Sequence, residues 1–133
     1  MGSEKVIVLD THAWIWAAVE SRKLSAKARK IIAAEEEILV SAISCWEVAM
    51  LVEKRRIQFR QDVLQWIREA LELPKLALAP LLPQIAVGAT RLGRTFHEDP
   101  ADRIIVATAL HHGARLVTAD KLIRGFEGVE TIW

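Results

Sequence analysis

The sequence has a single cysteine, Cys45, which excludes an internal disulfide and argues against a cysteine-based zinc site. We therefore expect a reducing, cytoplasmic setting. Apolar runs long enough to span a bilayer are missing, and the first residues lack the apolar segment of a signal peptide, so no membrane partner is expected. Residues 1–4 are expected to be disordered or left over from cloning.

A large excess of charge of one sign is also missing. The 18 basic and 17 acidic residues give a formal net charge of +1, so contact with nucleic acid would have to come from local patches. Internal repeats and low-complexity linkers are absent, and 133 residues are too few for two domains of ordinary size. We therefore expect a single domain over residues 1–133.

What the chain does contain is an apolar run, Val6–Leu9, that ends in a carboxylate, Asp10. Four aliphatic residues without polar alternation are typical of a strand buried on both faces, as in the interior of a parallel sheet. Ligands and reacting groups collect at the carboxyl ends of such strands. Asp10 is therefore a candidate site residue, although the same position also suits a cap of the following helix.

The rest of the chain alternates short apolar strands with helices. Strands are predicted at 38–41, 76–78, 115–118 and 131–133, and helices at 13–19, 26–35, 44–55, 63–71, 83–92 and 101–112. This alternation predicts an α/β fold, with three α/β/α layers around a parallel sheet of four to five strands. Ser44 and Glu47 are predicted to form a capping box, and Trp46 and Trp66 to lie in the core.

Acidic residues recur near the predicted strand ends. They are Asp10, Glu47, Asp99, Asp102 and Asp120. Because parallel strands align their carboxyl ends, we expect these carboxylates to converge, and crowded carboxylates resist ionisation unless a cation lies among them. Oxygen ligands favour Mg²⁺ or Mn²⁺. Each acid can also be read as a helix cap, but Asp102, in the first turn of an otherwise apolar helix, needs a partner.

Four segments resemble, in order, the signatures of PIN-domain proteins. They are Leu9-Asp10-Thr11-His12, Ser41-Ala42-Ile43-Ser44-Cys45-Trp46-Glu47, His97-Glu98-Asp99-Pro100-Ala101-Asp102-Arg103 and Leu116-Val117-Thr118-Ala119-Asp120. The likeness is closest to the VapC-type ribonuclease toxins of bacterial and archaeal toxin–antitoxin pairs, and it covers essentially the whole chain.

This resemblance implies a PIN-like fold and an endoribonuclease whose Mg²⁺ or Mn²⁺ is held by four acids. Those acids are Asp10, Glu47, Asp102 and Asp120. It further implies a role for Asp99 as an alternative ligand or as a neighbour of the ligands, with three hydroxyl residues supporting the acids: Thr11, Ser44 and Thr118. The implied partners are an RNA substrate, a cognate antitoxin protein that inserts a tail into the active-site groove, and a second copy in a homodimer.

Basic and aromatic residues outside the acid cluster leave alternatives open. Two interpretations are open for the basic residues Lys54, Arg55, Arg56 and Arg60. They either contact RNA or an antitoxin, or they form a solvated helix end. Trp14 and Trp16 lie on different faces of one helix, so we expect unequal burial, and one of them, with Ile15 or Leu51, is a candidate for a dimer or antitoxin surface. Arg103 is expected to pair with an acid.

Three rival classes share part of the pattern. A phosphoryl-accepting signalling domain also has an aspartate at a strand tip beside Mg²⁺; Lys121 could supply its lysine, but Glu4 comes too early to supply its further acid. A haloacid-dehalogenase-like phosphatase requires a second aspartate two residues after Asp10, where His12 stands. The third class is a non-catalytic interaction module whose acids only cap helices.

Overall fold

Five parallel strands form one sheet in the computed structural model, which describes residues 6–133; the expectation for residues 1–4 lies outside the described residues. The strands are β1 Val6–Leu9, β2 Glu37–Ser41, β3 Leu76–Ala79, β4 Arg115–Val117 and β5 Thr131–Ile132. Their order across the sheet is β3-β2-β1-β4-β5. The register pairs Leu9 with Val40 on one side and with Val117 on the other, so the ends of the three inner strands are level.

Helices cover both faces of this sheet, as predicted. They are α1 Thr11–Ala18, α2 Ala26–Ala34, α3 Ala42–Glu53, α4 Val63–Ala70, α5 Pro83–Thr90, α6 Pro100–His111 and α7 Lys121–Arg124. Ile7 and Leu9 of β1 pack in one apolar core with α1 and α4, whereas Val8 packs in a second core with α6. Alternate side chains of β1 thus enter opposite layers. Within residues 6–133, no helix has both the length and the apolar character needed to cross a membrane.

The capping box predicted at Ser44 is wrong. Helix α3 begins at Ala42, directly after β2, because the Ser41 hydroxyl accepts a hydrogen bond from the Ile43 amide at 3.2 Å and caps the helix there. Ser44 is consequently an interior helix residue with 0% exposure, and Glu47 lies in the second turn rather than the first.

The core position predicted for Trp46 is also wrong, since its side chain is 57% exposed. The buried stripe of α3 consists of Ser44, Val48 and Leu51, at spacings of four and three residues. Trp46 lies two residues from Ser44, which is more than half a turn around the helix, and so it points away from the core. Trp66 is buried, as predicted.

The two tryptophans of α1 differ in burial, as expected. Trp14 is 0% exposed and its indole Nε1 donates to the Ala70 carbonyl at 3.2 Å, whereas Trp16 is only partly buried. Ile15 and Leu51 are buried in the same core as Trp14. Neither side chain is therefore part of an exposed surface with one of the two tryptophans.

Within residues 6–133, Arg103 pairs with carbonyl groups and with no acid, contrary to expectation. Its guanidinium donates to the backbone oxygens of Ala89, Gly93, Phe96 and His97 at 2.8–3.1 Å and lies 5.7 Å from the centre of the Phe96 ring. The last turn of α5 and the irregular segment between α5 and α6 supply these carbonyls, and a guanidinium has enough donors to satisfy several of them. Arg103 therefore fixes the chain that leads into α6.

Candidate active site

The carboxyl ends of the inner strands and the start of α6 enclose a pocket of about 420 Å³, here called the acid pocket. Its lining residues are Asp10, Thr11, His12, Trp16, Glu47, Asp99, Asp102 and Asp120. All five acids singled out from the sequence thus line one cavity. Lysine and arginine are missing from its lining, so no permanently charged cationic side chain of the described residues neutralises the acids from within.

Asp10 is both a helix cap and a wall of the acid pocket. Its Oδ1 accepts a hydrogen bond from the Ala13 amide at 2.8 Å, and its side chain is 7% exposed. Burial raises the pKa of Asp10 to about 7, with smaller contributions from the charges of Asp102 and Glu47, although hydrogen bonds from Thr118 and Ala13 favour the ionised form. Near neutral pH, Asp10 therefore ionises only partly unless a cation is present.

Glu47 is held by residues of two helices. Thr11 Oγ1, at the start of α1, is hydrogen-bonded to Glu47 Oε1 and lies 2.9 Å from Ser44 Oγ in α3. Burial raises the pKa of Glu47, as do the nearby charges of Asp102 and Asp99, while the Thr11 hydrogen bond opposes this shift. The small hydroxyl residues thus join α1 to α3 beneath the carboxylate.

Asp102 has the partner that its place in an apolar helix demands. His97 Nε2 lies 2.7 Å from Asp102 Oδ2, and the Asp102 amide donates to Asp99 Oδ1 at 3.0 Å. Burial raises the pKa of Asp102, the His97 hydrogen bond lowers it, and the charges of Asp99 and Asp120 raise it further. From the sequence, His97 is named only as part of a family signature and no role is predicted for it; the spacing of five residues between His97 and Asp102 is the only local signal of their contact.

Asp120 shows that capping and pocket lining are compatible. Its Oδ1 accepts from the amides of Leu122 and Ile123 at 2.8 and 3.1 Å, as the cap interpretation predicted, and the same residue lines the acid pocket. Thr118 Oγ1 accepts from the Asp120 amide at 3.0 Å and also contacts Asp10 through a hydrogen bond. Thr118 therefore links the two acids that follow β1 and β4.

His12 and Trp16 line another side of the pocket, and Trp133 extends this row of aromatic rings outside it. The ring centres of His12 and Trp16 are 5.6 Å apart, and those of Trp16 and Trp133 are 5.7 Å apart. Burial lowers the pKa of His12, so its neutral form is favoured. Trp16 was predicted only as a candidate for a dimer or antitoxin surface; its place beside the acids depends on how α1 packs.

The donor set suits a divalent cation, although the side chains are not gathered around one point. Within residues 6–133, no three histidine, cysteine or acidic side chains stand close enough to hold a metal ion together as they are oriented. Each carboxylate instead bonds to its own neighbour, such as Thr11 or His97. Joint coordination therefore requires side-chain rotation, but the clustered oxygen donors and their raised pKa values fit Mg²⁺ or Mn²⁺.

Two of the four basic residues line a groove that adjoins the acid pocket. Lys54 and Arg56 line a neighbouring groove that shares Glu47 with the pocket. Arg55 and Arg60 are exposed and line neither cavity.

A parallel sheet covered by helices on both faces, with carboxylates clustered at its strand ends, defines an α/β protein with an acidic pocket at one edge of the sheet. The model of the PIN domain family matches residues 7–128, and the chain belongs to this family. It is 38% identical over 129 residues to Ribonuclease VapC22 of Mycobacterium tuberculosis. The aligned region covers 96% of this chain and 98% of that protein.

Solved structures with the same fold include VapBC2 from Rickettsia felis bound to a DNA fragment from its promoter, with a TM-score of 0.69 and 17% identity over 96% of this chain and 97% of that chain. A toxin–antitoxin complex from Klebsiella pneumoniae has a TM-score of 0.67 and 22% identity, covering 96% of each chain. The predicted α/β fold and the resemblance to PIN-domain proteins are confirmed. The phosphoryl-accepting and phosphatase classes receive no support.

Proposed function

We propose that this chain is a divalent-metal-dependent endoribonuclease and the toxin of a toxin–antitoxin pair. The acid pocket carries the proposal, because five carboxylates at one edge of the sheet, three of them with raised pKa values, are costly unless a cation joins them. The identity to a ribonuclease over nearly the whole chain supports RNA as the substrate. An interaction module whose acids only capped helices would not need them to share a cavity.

In this proposal four acids hold Mg²⁺ or Mn²⁺: Asp10, Glu47, Asp102 and Asp120. Asp99 serves as an alternative ligand or as a neighbour that holds Asp102 through its amide. A bound divalent ion activates water and offsets the charge that develops on a phosphodiester. Thr11 and Thr118 keep Glu47 and Asp10 in place by hydrogen bonds, and Ser44 is hydrogen-bonded to Thr11.

The charge of the acid pocket also makes RNA binding depend on the cation. A phosphodiester is an anion, and among the described residues the pocket lining contains acids without lysine or arginine. Without a cation, the approaching phosphate is repelled by the ionised carboxylates. RNA binding at the pocket and metal binding are therefore expected to strengthen each other.

An antitoxin protein and a second copy of the chain are the proposed protein partners. A basic side chain of an antitoxin tail would complement the acid pocket, and proteins of the same fold are known in toxin–antitoxin complexes. For the homodimer, the support is a set of exposed apolar side chains on edge strand β3, in the segment after it and on α5. They are Leu78 at 46%, Leu81 at 45% and Val87 at 45% exposure.

The test is cleavage of total cellular RNA by the purified chain with Mg²⁺, with Mn²⁺ or with EDTA. Asp10→Asn and Asp102→Asn are each expected to lower cleavage by at least about 100-fold, because even residues that only orient metal ligands are worth 10- to 100-fold. Asp62→Asn is the matched control, since Asp62 also caps a helix through its side chain but lies outside the acid pocket. Undiminished cleavage by Asp10→Asn would contradict the proposal.

A further inference from the structure

A groove of about 580 Å³ runs between α3 and the first turn of α6, and we call it the α3–α6 groove. Its α3 side consists of Ile43, Trp46 and Met50, followed by Lys54 and Arg56 beyond the end of the helix. The function proposed above uses none of the three α3 side chains.

The α3–α6 groove is continuous with the acid pocket. Glu47 and Asp99 line both cavities, so a chain-like ligand whose phosphodiester occupies the acid pocket extends naturally into the groove. Trp46 precedes Glu47 in the sequence and is therefore beside the boundary between the two cavities.

Trp46 presents a large aromatic surface with no core to pack against. Its 57% exposure contrasts with Ser44 and Val48, which flank it in α3 and are each 0% exposed. Exposed indoles are stacking platforms for nucleic-acid bases, because every base has a flat π-face. A base that is paired in a duplex is not available for such stacking, whereas an unpaired base is.

Cationic side chains occupy the far end of the α3 side of the groove, away from Trp46. Trp46, Met50 and Lys54 are spaced by four residues, so they follow one another along one side of α3 over about 12 Å. After the helix, the Arg55 and Arg56 amides donate to Val52 and Leu51 at 3.0 and 2.9 Å, a turn that returns Arg56 toward the groove. Within residues 6–133, no ion pair engages Lys54 or Arg56.

We propose that the α3–α6 groove binds the single-stranded RNA segment adjoining the cleaved phosphodiester, with one base stacked on Trp46 and the backbone phosphates bound by Lys54 and Arg56. This inference rests on the proposed ribonuclease function. A nucleic-acid strand alternates flat bases with anionic phosphates, and the α3 side of the groove correspondingly offers an indole and then cations. Trp46 is thus a substrate-positioning residue outside the metal site.

Binding of a fluorescein-labelled single-stranded RNA is measured by anisotropy, in an Asp10→Asn background so that the strand stays intact. Trp46→Ala is expected to weaken binding by about 5- to 150-fold, the range that one stacked base contributes. Trp46→Phe should retain most of the affinity, and a duplex of the same sequence should not distinguish the three proteins. Leu122→Ala is the control for loss of an exposed apolar side chain, being 65% exposed on α7.

The phosphate contacts are tested by salt dependence. Lys54→Ala/Arg56→Ala is expected to reduce the slope of log affinity against log salt by about 1.4, because two phosphate contacts are lost from a single strand. Lys27→Ala/Lys30→Ala removes the same charge from the exposed side of α2 and should leave the slope unchanged.

Unchanged RNA affinity in both Trp46→Ala and the Lys54/Arg56 double variant would overturn the groove assignment. If those variants instead lowered the mass in sedimentation or weakened binding of the antitoxin, the groove would belong to a protein partner, which also overturns it. The proposed function is judged separately, by cleavage with Asp10 intact. A chain that binds RNA through the groove but does not cleave it would refute the function and keep the groove.

Discussion

Replacing Asp10 by asparagine should make the metal-free protein more stable at neutral and alkaline pH. The folded protein holds the pKa of Asp10 at about 7, against an ordinary value of 3.8, mainly because the carboxylate is buried. Asparagine has nearly the same shape and can still accept the hydrogen bond from the Ala13 amide, but it never ionises. The substitution therefore removes an ionisation penalty while keeping the helix cap.

The magnitude follows from the shift in pKa. A difference of about 3 pH units, at about 1.4 kcal/mol each, corresponds to about 4 kcal/mol of stability. Because the folded-state pKa is raised, the folded chain keeps its proton longer than the unfolded chain. Below about pH 4, Asp10 is therefore protonated in both states and does not lower the stability of the wild type. The contribution of Asp10 to the free energy of unfolding falls as the pH rises from about 4 to about 7 and is constant above that range.

The assay is urea denaturation in EDTA across this pH range, for the wild type and Asp10→Asn. The free energy of unfolding of Asp10→Asn relative to the wild type should rise with pH by up to about 4 kcal/mol. The raised pKa values of Glu47 and Asp102 make stability depend on pH in both proteins, so their effect cancels in this difference. Mg²⁺ or Mn²⁺ added at alkaline pH should then stabilise the wild type more than the variant. Parallel pH profiles for the two proteins would refute the reasoning.

Two further substitutions test the segments around the site. Arg103→Lys should destabilise the fold by about 3 kcal/mol or more, because an ammonium cannot reach the four carbonyls that the guanidinium satisfies. The control is Arg68→Lys, at an exposed position of α4, and equal urea midpoints for Arg103→Lys and the wild type would contradict this expectation. Arg55→Gly should stabilise the fold by up to about 1 kcal/mol, since Arg55 has a φ of 59° that glycine adopts without strain; a lower midpoint would argue against that strain.

Elements with a strong local signal were predictable. The strand over Val6–Leu9 and the helix predicted at 26–35 both appear in the structure, because the residue types that favour them are neighbours along the chain. The convergence of Asp10 and Asp102 also followed, since parallel strands and their helices place such residues at one edge of the sheet. The boundary of α3 was misplaced because Ser41 and Ser44 are both good caps, and only the turn at the end of β2 decides between them.

The sequence by itself determined the order of strands and helices, the family, and the set of acids that could share a site, because these are carried by short-range spacing and residue type. The tertiary structure alone decided that Trp46 faces outward, that His97 bonds to Asp102, and that Arg103 donates hydrogen bonds to carbonyl groups. The physical reason is that burial and hydrogen-bond partners depend on which helix packs against which. Thr11 and Glu47, 36 residues apart, meet only after α1 and α3 have packed together.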